Sequence, residues 1–96
     1  MAVLQFRPKA KKDLEKIWLY SYKNWGIIQA DQYLDEMELT CCELANSSKK
    51  GQSVGYIRKG YYRYHIQKHY IYFRKTKEGI EVIRLLHERM KPEKHL

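Results

Sequence analysis

Apolar and polar positions change their spacing near the middle of the chain. In the first half, apolar residues recur every three or four positions, the spacing that places side chains on one face of an α-helix. One such stripe of apolar or small residues contains Leu14, Ile17, Trp18, Ser21 and Trp25. It predicts a helix over Lys9–Trp25 that ends at Gly26, because glycine commonly terminates helices.

A second stripe begins almost at once and predicts a second helix. Its apolar or small members are Ala30, Tyr33, Leu34, Met37, Cys41, Leu44 and Ala45. The opposite face carries the acidic residues Asp31, Asp35, Glu36 and Glu43. Two helices joined so closely are typical of a helical hairpin, and "NSSKKG" after them indicates a cap and a loop.

After Gly51, short runs rich in Ile, Val, Tyr and Phe replace the helical pattern, which is typical of β-strands. The opening "AVLQF", ahead of Arg7-Pro8, predicts a strand at the start of the chain. Breaks at Gly60, at Lys68-His69 and in "KTKEG" separate four later runs: Val54–Lys59, Tyr61–Gln67, Tyr70–Arg74 and Ile80–Leu86. The final "ERMKPEKHL" predicts a polar tail with one short helical turn before Pro92.

Together these elements predict one α+β domain over residues 1–96, in the order β-α-α-β-β-β with a short C-terminal tail. The helical hairpin should pack on one face of a small antiparallel sheet and leave the other face partly open. Strand alternation should direct Tyr62, Tyr64 and Ile66 to one face of this sheet. The side chains Tyr61, Arg63, His65 and Gln67 should then lie on the other face.

Positive charge is concentrated in the second half. The chain has 19 Lys or Arg against 11 Asp or Glu, a net charge of +8. Between Leu44 and Lys77 there are nine basic residues and no acidic one. This favours an anionic partner: a nucleic acid, an anionic membrane or an acidic protein segment. No apolar stretch approaches the roughly 20 residues of a membrane span, and no signal peptide opens the chain, so we expect a cytoplasmic protein without a membrane partner.

The tyrosines of this cationic half allow two interpretations. Tyrosine suits a half-buried sheet, because its ring packs while its hydroxyl reaches water. Alternation of aromatic and basic residues is also typical of a platform for bases or phosphates. The residues between Tyr56 and Phe73 contain no defined nucleotide-binding motif.

Few residues are candidates for catalysis or metal binding. The adjacent Cys41 and Cys42 are poorly placed for a disulfide or a metal site, so we expect two reduced, partly buried residues. The histidines have no metal-ligand spacing, so we expect no metal and no cofactor. His87 lies close in sequence to Arg84 and Arg89 and is either a proton donor for phosphodiester cleavage or an ordinary surface residue.

Three segments resemble the ParE toxins of the RelE/ParE toxin–antitoxin superfamily. They are "WGIIQADQYLDEM", "GYIRKGYYRYHIQKHYIYFRK" and "IEVIRLLHERMKPEKHL". The most specific parts are Trp25-Gly26, Arg58 with Gly60-Tyr61, His69 before an apolar run, and the residues from Arg84 to Met90. The resemblance covers nearly the whole chain. It implies a helical hairpin on a small antiparallel sheet that the N-terminal strand joins.

The resemblance also implies a function. ParE toxins inhibit DNA gyrase without acting as enzymes, and the acidic or amphipathic C-terminal segment of a ParD-like antitoxin wraps around them and neutralises them. Direct nucleic-acid binding is then not expected to be primary. The residues expected to contact the target or the antitoxin are Arg58, Tyr61, Arg63, Arg84, His87, Arg89 and Met90.

Two alternatives remain open at this point. The RelE branch cleaves ribosome-bound mRNA, and here Arg58, Arg63 and Arg84 would supply its basic cluster and His87 its acid. However, "RLLHERM" resembles the ending of the ParE branch, for which no RNase activity is expected. The second alternative is a basic protein-binding module without toxicity.

Overall fold

The computed structural model describes residues 2–96. Strand β1 and the two helices come first: Val3–Phe6, Pro8–Trp25 (α1) and Ile27–Ala45 (α2). Four strands follow, namely β2 (Gln52–Ser53), β3 (Tyr61–Ile66), β4 (His69–Lys75) and β5 (Gly79–His87). The predicted α+β class is confirmed, and so is the order of β1, the two helices and the three long strands. The two-residue β2 is an additional strand. Both helices begin and end close to the expected residues, because their periodic stripes and Gly26 are local signals.

The strands form one sheet in the order β1-β5-β4-β3-β2. Its pairs are antiparallel except for β1 and β5, which are parallel, with Val3 opposite Gly79 and Phe6 opposite Val82. The sheet is therefore mixed and not wholly antiparallel as predicted. A parallel pair is possible because two helices and three strands separate β1 from β5, and that length of chain allows the crossover that parallel strands require.

The predicted strand over Val54–Lys59 is wrong, because this segment is a compact loop. The amides of Ile57 and Arg58 both donate to the Val54 carbonyl, at 2.9 and 3.2 Å. Gly60 then takes a φ of 84°, a conformation that favours glycine. Val54 is fully buried, so its apolar character reflects an anchor beneath the loop.

Two further sequence expectations are also wrong. The tail has its short helix at Pro92–Lys94, after the expected position, because proline suits the first turn of a helix. Trp25 does not continue the buried stripe of α1, which ends at Ser21, and the Trp25 side chain is 72% exposed. The last turn of α1 therefore extends past the core.

The main core lies between the helices and one face of the sheet. Its buried residues are Ala10, Ile17, Met37, Cys41, Leu44, Ala45, Ile66, Ile71, Phe73, Ile80, Val82 and Leu85. Tyr62 and Tyr64 pack against this cluster on the same face as Ile66, as the alternation predicted. Cys41 is buried and Cys42 is exposed, and both are free thiols.

A second, smaller cluster covers part of the opposite face, which we call the open face. It contains Val54, Tyr61, Tyr72, Ile83 and Leu86. The 54–60 loop and the C-terminal tail lie against it through Ile57 and Leu96. A β-bulge shifts the alternation along β5, because Phe73 pairs with Val82 while Tyr72 pairs with Arg84. Val82 and Leu85 therefore both face the main core although they are three positions apart. None of the helices in residues 2–96 combines the length and the apolarity that a membrane crossing requires.

Candidate functional site

The open face brings together three of the predicted site residues. Arg63 points outward from β3, and its guanidinium lies 4.2 Å from the ring centre of Tyr70. Arg58, in the 54–60 loop, places its guanidinium 5.5 Å from the ring centre of Tyr61. Both distances are in the range of cation–π contacts. We call this surface the arginine face and define it by Arg58, Tyr61, Arg63 and Tyr70.

The arginines of this surface retain their binding capacity. In the part of the chain that the structure describes, neither Arg58 nor Arg63 forms an ion pair with a carboxylate. Planar guanidiniums held against aromatic rings are preorganised for carboxylates and phosphates. The arginine face therefore suits an anionic partner.

Arg84 lies apart from this surface in a buried ion pair with Asp13 of α1. Its Nε and Nη2 atoms donate to the two carboxylate oxygens of Asp13 at 2.7 and 3.0 Å. Oδ2 of Asp13 also accepts the Leu85 amide at 3.0 Å. Hydrogen bonding to Asp13 raises the pKa of Arg84 further. Beyond the end of β1, the Asp13 carboxylate therefore accepts a backbone hydrogen bond from β5, as a neighbouring strand would.

Arg84 also holds the C-terminal tail. Its Nη1 atom donates to the His95 carbonyl at 3.3 Å, and Leu96 packs against the second cluster. One guanidinium therefore connects α1, β5 and the tail. Its direct contact with a target stays a prediction, while its structural contacts are satisfied within this chain.

His87 lies on the helix side of the sheet, at the end of β5. Its ring centre is 5.4 Å from that of His69, in an edge-on arrangement. The Nδ1 atom of His69 is 2.7 Å from the hydroxyl of Tyr33 on α2. Burial, followed by the charge of His87, lowers the pKa of His69 to about 4. His69 is therefore neutral near pH 7, which allows close contact with both neighbours.

The remaining predicted residues lie beyond this cluster. Nδ1 of His87 accepts the backbone amide of Arg89 at 3.1 Å. Arg89 is exposed, as is Met90, with 39% of its surface accessible. These residues form a separate exposed corner after β5.

The four residues of the RNase alternative do not converge. Arg58 and Arg63 lie on the open face, whereas His87 contacts His69 on the helix side of the sheet. Arg84 is bound to Asp13. A general acid must lie within hydrogen-bond reach of the atom that it protonates, while the basic groups hold the same phosphate. A sheet separates these groups here.

Two features of the site were not predicted from the sequence. Asp13 has the helical spacing of the buried residues Ala10 and Ile17, so its register was a usable signal for a buried carboxylate. The second feature is a cleft of about 440 Å³ on the outer side of the helical hairpin. Its lining residues are Lys11, Leu14, Glu15, Trp18, Leu34 and Glu38. We call it the hairpin groove.

The sequence of this chain matches one known protein family over most of its length. The family model described as "ParE toxin of type II toxin-antitoxin system, parDE" matches residues 4–92. The chain belongs to the ParE toxin family. It is 38% identical over 90 residues to Toxin ParE1 of Mycobacterium tuberculosis (strain H37Rv), covering 93% of this chain and 92% of that protein. It is 36% identical over 88 residues to Toxin ParE1 of Caulobacter vibrioides, covering 92% and 91%.

The fold comparison agrees with this assignment. A chain of the chromosomal ParDE system from P. aeruginosa superimposes with a TM-score of 0.75, covering 91% of this chain and 96% of that one at 18% sequence identity. The resemblance to ParE toxins is thus confirmed, and the protein is a ParE-type toxin of a ParDE toxin–antitoxin system. Membership in this family fits a toxin that does not work as a classical enzyme.

Proposed function

We propose that this ParE-type toxin inhibits DNA gyrase by docking through the arginine face. The observation that carries the proposal is the pairing of two carboxylate-free arginines with tyrosine rings on the open face of the sheet. Arginine and tyrosine are enriched among the residues that dominate protein–protein binding energies. Such a surface holds a partner tightly without needing a proton donor. This function places the toxin in the cytoplasm, together with gyrase.

The separation of His87 from Arg63 supports docking over RNA cleavage. In an RNase of the RelE type, His87 would be the acid and its loss would cost about 10²–10⁴-fold in rate. In a toxin that docks through the arginine face, His87 lies outside the interface, so its loss should cost little. Arg84 then acts indirectly, because it fixes β5 and the tail through Asp13.

A ParD-like antitoxin provides the second part of the proposal. The hairpin groove offers the apolar side chains of Leu14, Trp18 and Leu34 beside one another. This is the surface that an amphipathic segment requires for its apolar anchors. Acidic residues of the same segment would meet the cationic half of the toxin and accelerate association.

A gyrase supercoiling assay with purified toxin tests the first part. The wild-type protein should block supercoiling, and Arg58→Ala together with Arg63→Ala should weaken inhibition at least tenfold, as expected for the loss of about 1.4 kcal/mol or more of binding energy. His87→Gln should retain substantial inhibition. Ribosome-bound mRNA should stay intact in a parallel reaction. Robust mRNA cleavage that disappears in His87→Gln, without any effect on gyrase, would instead assign the protein to the RelE mechanism.

Surface plasmon resonance with the cognate antitoxin tests the second part. Trp18→Ala should speed dissociation, because it removes an apolar anchor from the hairpin groove, whereas Leu39→Ala is a matched control on the exposed part of α2. Raising the salt concentration should slow association more than it speeds dissociation. Equal effects of both substitutions would exclude the hairpin groove, and an association rate indifferent to salt would exclude electrostatic steering.

A further inference from the structure

A second concentration of positive charge lies away from the arginine face. The 47–51 loop and the turn between β4 and β5 enclose a cleft of about 450 Å³. Four lysines line it: Lys49, Lys50, Lys75 and Lys77. Glu78 is the single carboxylate among the lining residues. We call this feature the lysine cleft.

Close packing fixes both walls of the lysine cleft. On one wall, Gly51 lies so close to the ring of Phe73 that a Cβ atom would collide with it. On the other wall, a Cβ atom on Gly79 would collide with the Val3 carbonyl. The turn is closed by Thr76, whose amide donates to the Gly79 carbonyl at 2.9 Å. The cleft is therefore part of the packed fold.

The lysines differ in how they are held. Lys49 is 3.4 Å from a carboxylate oxygen of Glu43, and Lys75 lies 4.8 Å from the ring centre of Tyr62. Lys50 and Lys77 are exposed, and neither has an ion-pair partner within residues 2–96. Two ammonium groups are thus anchored near the walls and two are free to meet an anion.

We propose that the lysine cleft binds phosphate groups of the backbone of duplex DNA. The floor residues Leu44, Phe73 and Ile80 are at most 4% exposed, so the cleft offers no apolar anchor to an acidic peptide. Ammonium groups alone suffice for phosphates, since the release of counterions drives that binding. No exposed aromatic ring lines the cleft, so bases are not stacked and recognition is independent of sequence.

This inference rests on the proposed function, because gyrase holds DNA. A toxin docked on gyrase through the arginine face would present the lysine cleft as a separate contact to the DNA bound there. Phosphate contacts position a protein on a duplex without specifying sequence. The cleft would thus add affinity for the gyrase–DNA complex over free gyrase.

Fluorescence anisotropy with a labelled duplex of mixed sequence tests the cleft directly. Lys50→Gln combined with Lys77→Gln removes the two free ammonium groups. Lys12→Gln combined with Lys16→Gln is the matched control, since both lysines are exposed on α1. The slope of log affinity against log salt should fall by about 2 in the cleft variant, since each phosphate contact contributes about 0.9. The control should keep the wild-type slope, and circular dichroism should show all three proteins folded.

Equal slopes in the two variants would overturn the proposal. So would binding of polyglutamate with the same lysine dependence in the absence of duplex binding, because the occupant would then be an acidic peptide. Gyrase inhibition is measured separately on the same proteins. DNA binding through the lysine cleft without gyrase inhibition would refute the proposed function and leave this site in place. Gyrase inhibition together with an unchanged salt slope for DNA binding in the cleft variant would refute this site and leave the proposed function in place.

Discussion

Replacement of Asp13 with alanine should destabilise the toxin far more than the loss of an ordinary surface charge. Asp13 is 6% exposed and accepts three hydrogen bonds, two from Arg84 and one from the Leu85 amide. The substitution leaves a guanidinium whose side chain is 14% exposed without its counter-ion. Removing one partner of a buried pair typically costs about 3–5 kcal/mol. The orphaned amide of Leu85 contributes to this loss, since a buried unsatisfied donor by itself costs about 1–3 kcal/mol.

Urea unfolding followed by circular dichroism measures this cost, provided that the slope of free energy against urea is unchanged. Arg74→Ala is the matched control, because Arg74 forms an equally short pair with Glu81 at 2.6 Å but is 44% exposed. An exposed pair of this kind contributes about 0–1 kcal/mol. Asp13→Leu combined with Arg84→Met should recover much of the lost stability, since apolar pairs often replace buried ion pairs without cost.

Two results would contradict a buried, coupled pair of Asp13 and Arg84. If Asp13→Ala costs no more than Arg74→Ala, the pair is not energetically buried and the assigned role of Arg84 is wrong. If the double variant loses the sum of the losses measured for Asp13→Leu and Arg84→Met separately, the two side chains are not coupled. Either result would mean that Asp13 does not hold the Arg84 side chain and that Arg84 is free to bind another anion.

Three further predictions follow from burial. Burial and the charge of His87 lower the pKa of His69 from 6.5 to about 4, so the unfolded chain binds a proton that the native protein does not bind between these values. The free energy of unfolding should therefore not depend on His69 above pH 6.5 and should fall as the pH is lowered toward 4. In His69→Gln, the free energy measured by urea titration should depend less on pH in that window. Burial raises the pKa of Cys41 to about 12. Mass spectrometry should therefore find the native protein alkylated only at the exposed Cys42, and the unfolded protein alkylated at both thiols. Alkylation of Cys41 in the native protein would contradict its burial. In thermal or urea unfolding, Met37→Ala should cost about 2–5 kcal/mol, whereas Trp25→Ala should stay within about 0.5 kcal/mol, and a large loss at Trp25 would mean that the tip of α1 is packed.

Some features of this toxin could be predicted because their causes are local. The stripe through Met37 and Cys41 determines which face of α2 is buried, and Gly26 marks the boundary between the helices. Alternation along β3 placed Tyr62 and Tyr64 with the core and Arg63 on the other side. Residue spacing is sufficient in these cases, since a helix or a strand repeats its side-chain directions over a few residues.

Other features depend on contacts between distant parts of the chain. The loop after Val54 has the composition of a strand, yet its amides bond to the Val54 carbonyl. His87 and Arg63 both belong to strands, and only the packed sheet shows that they face opposite sides.

By itself, the sequence determined the helices, the three long strands after them, the facing of β3 and the cationic second half. Tertiary structure alone decided the parallel pairing of β1 with β5 and the ion pair that Arg84 forms with Asp13. In sequence Arg84 is one basic residue among many, and its partner Asp13 lies 71 positions away. Strand pairing and ion pairing depend on distances in space, and residues far apart in the chain acquire those distances only when the whole core packs.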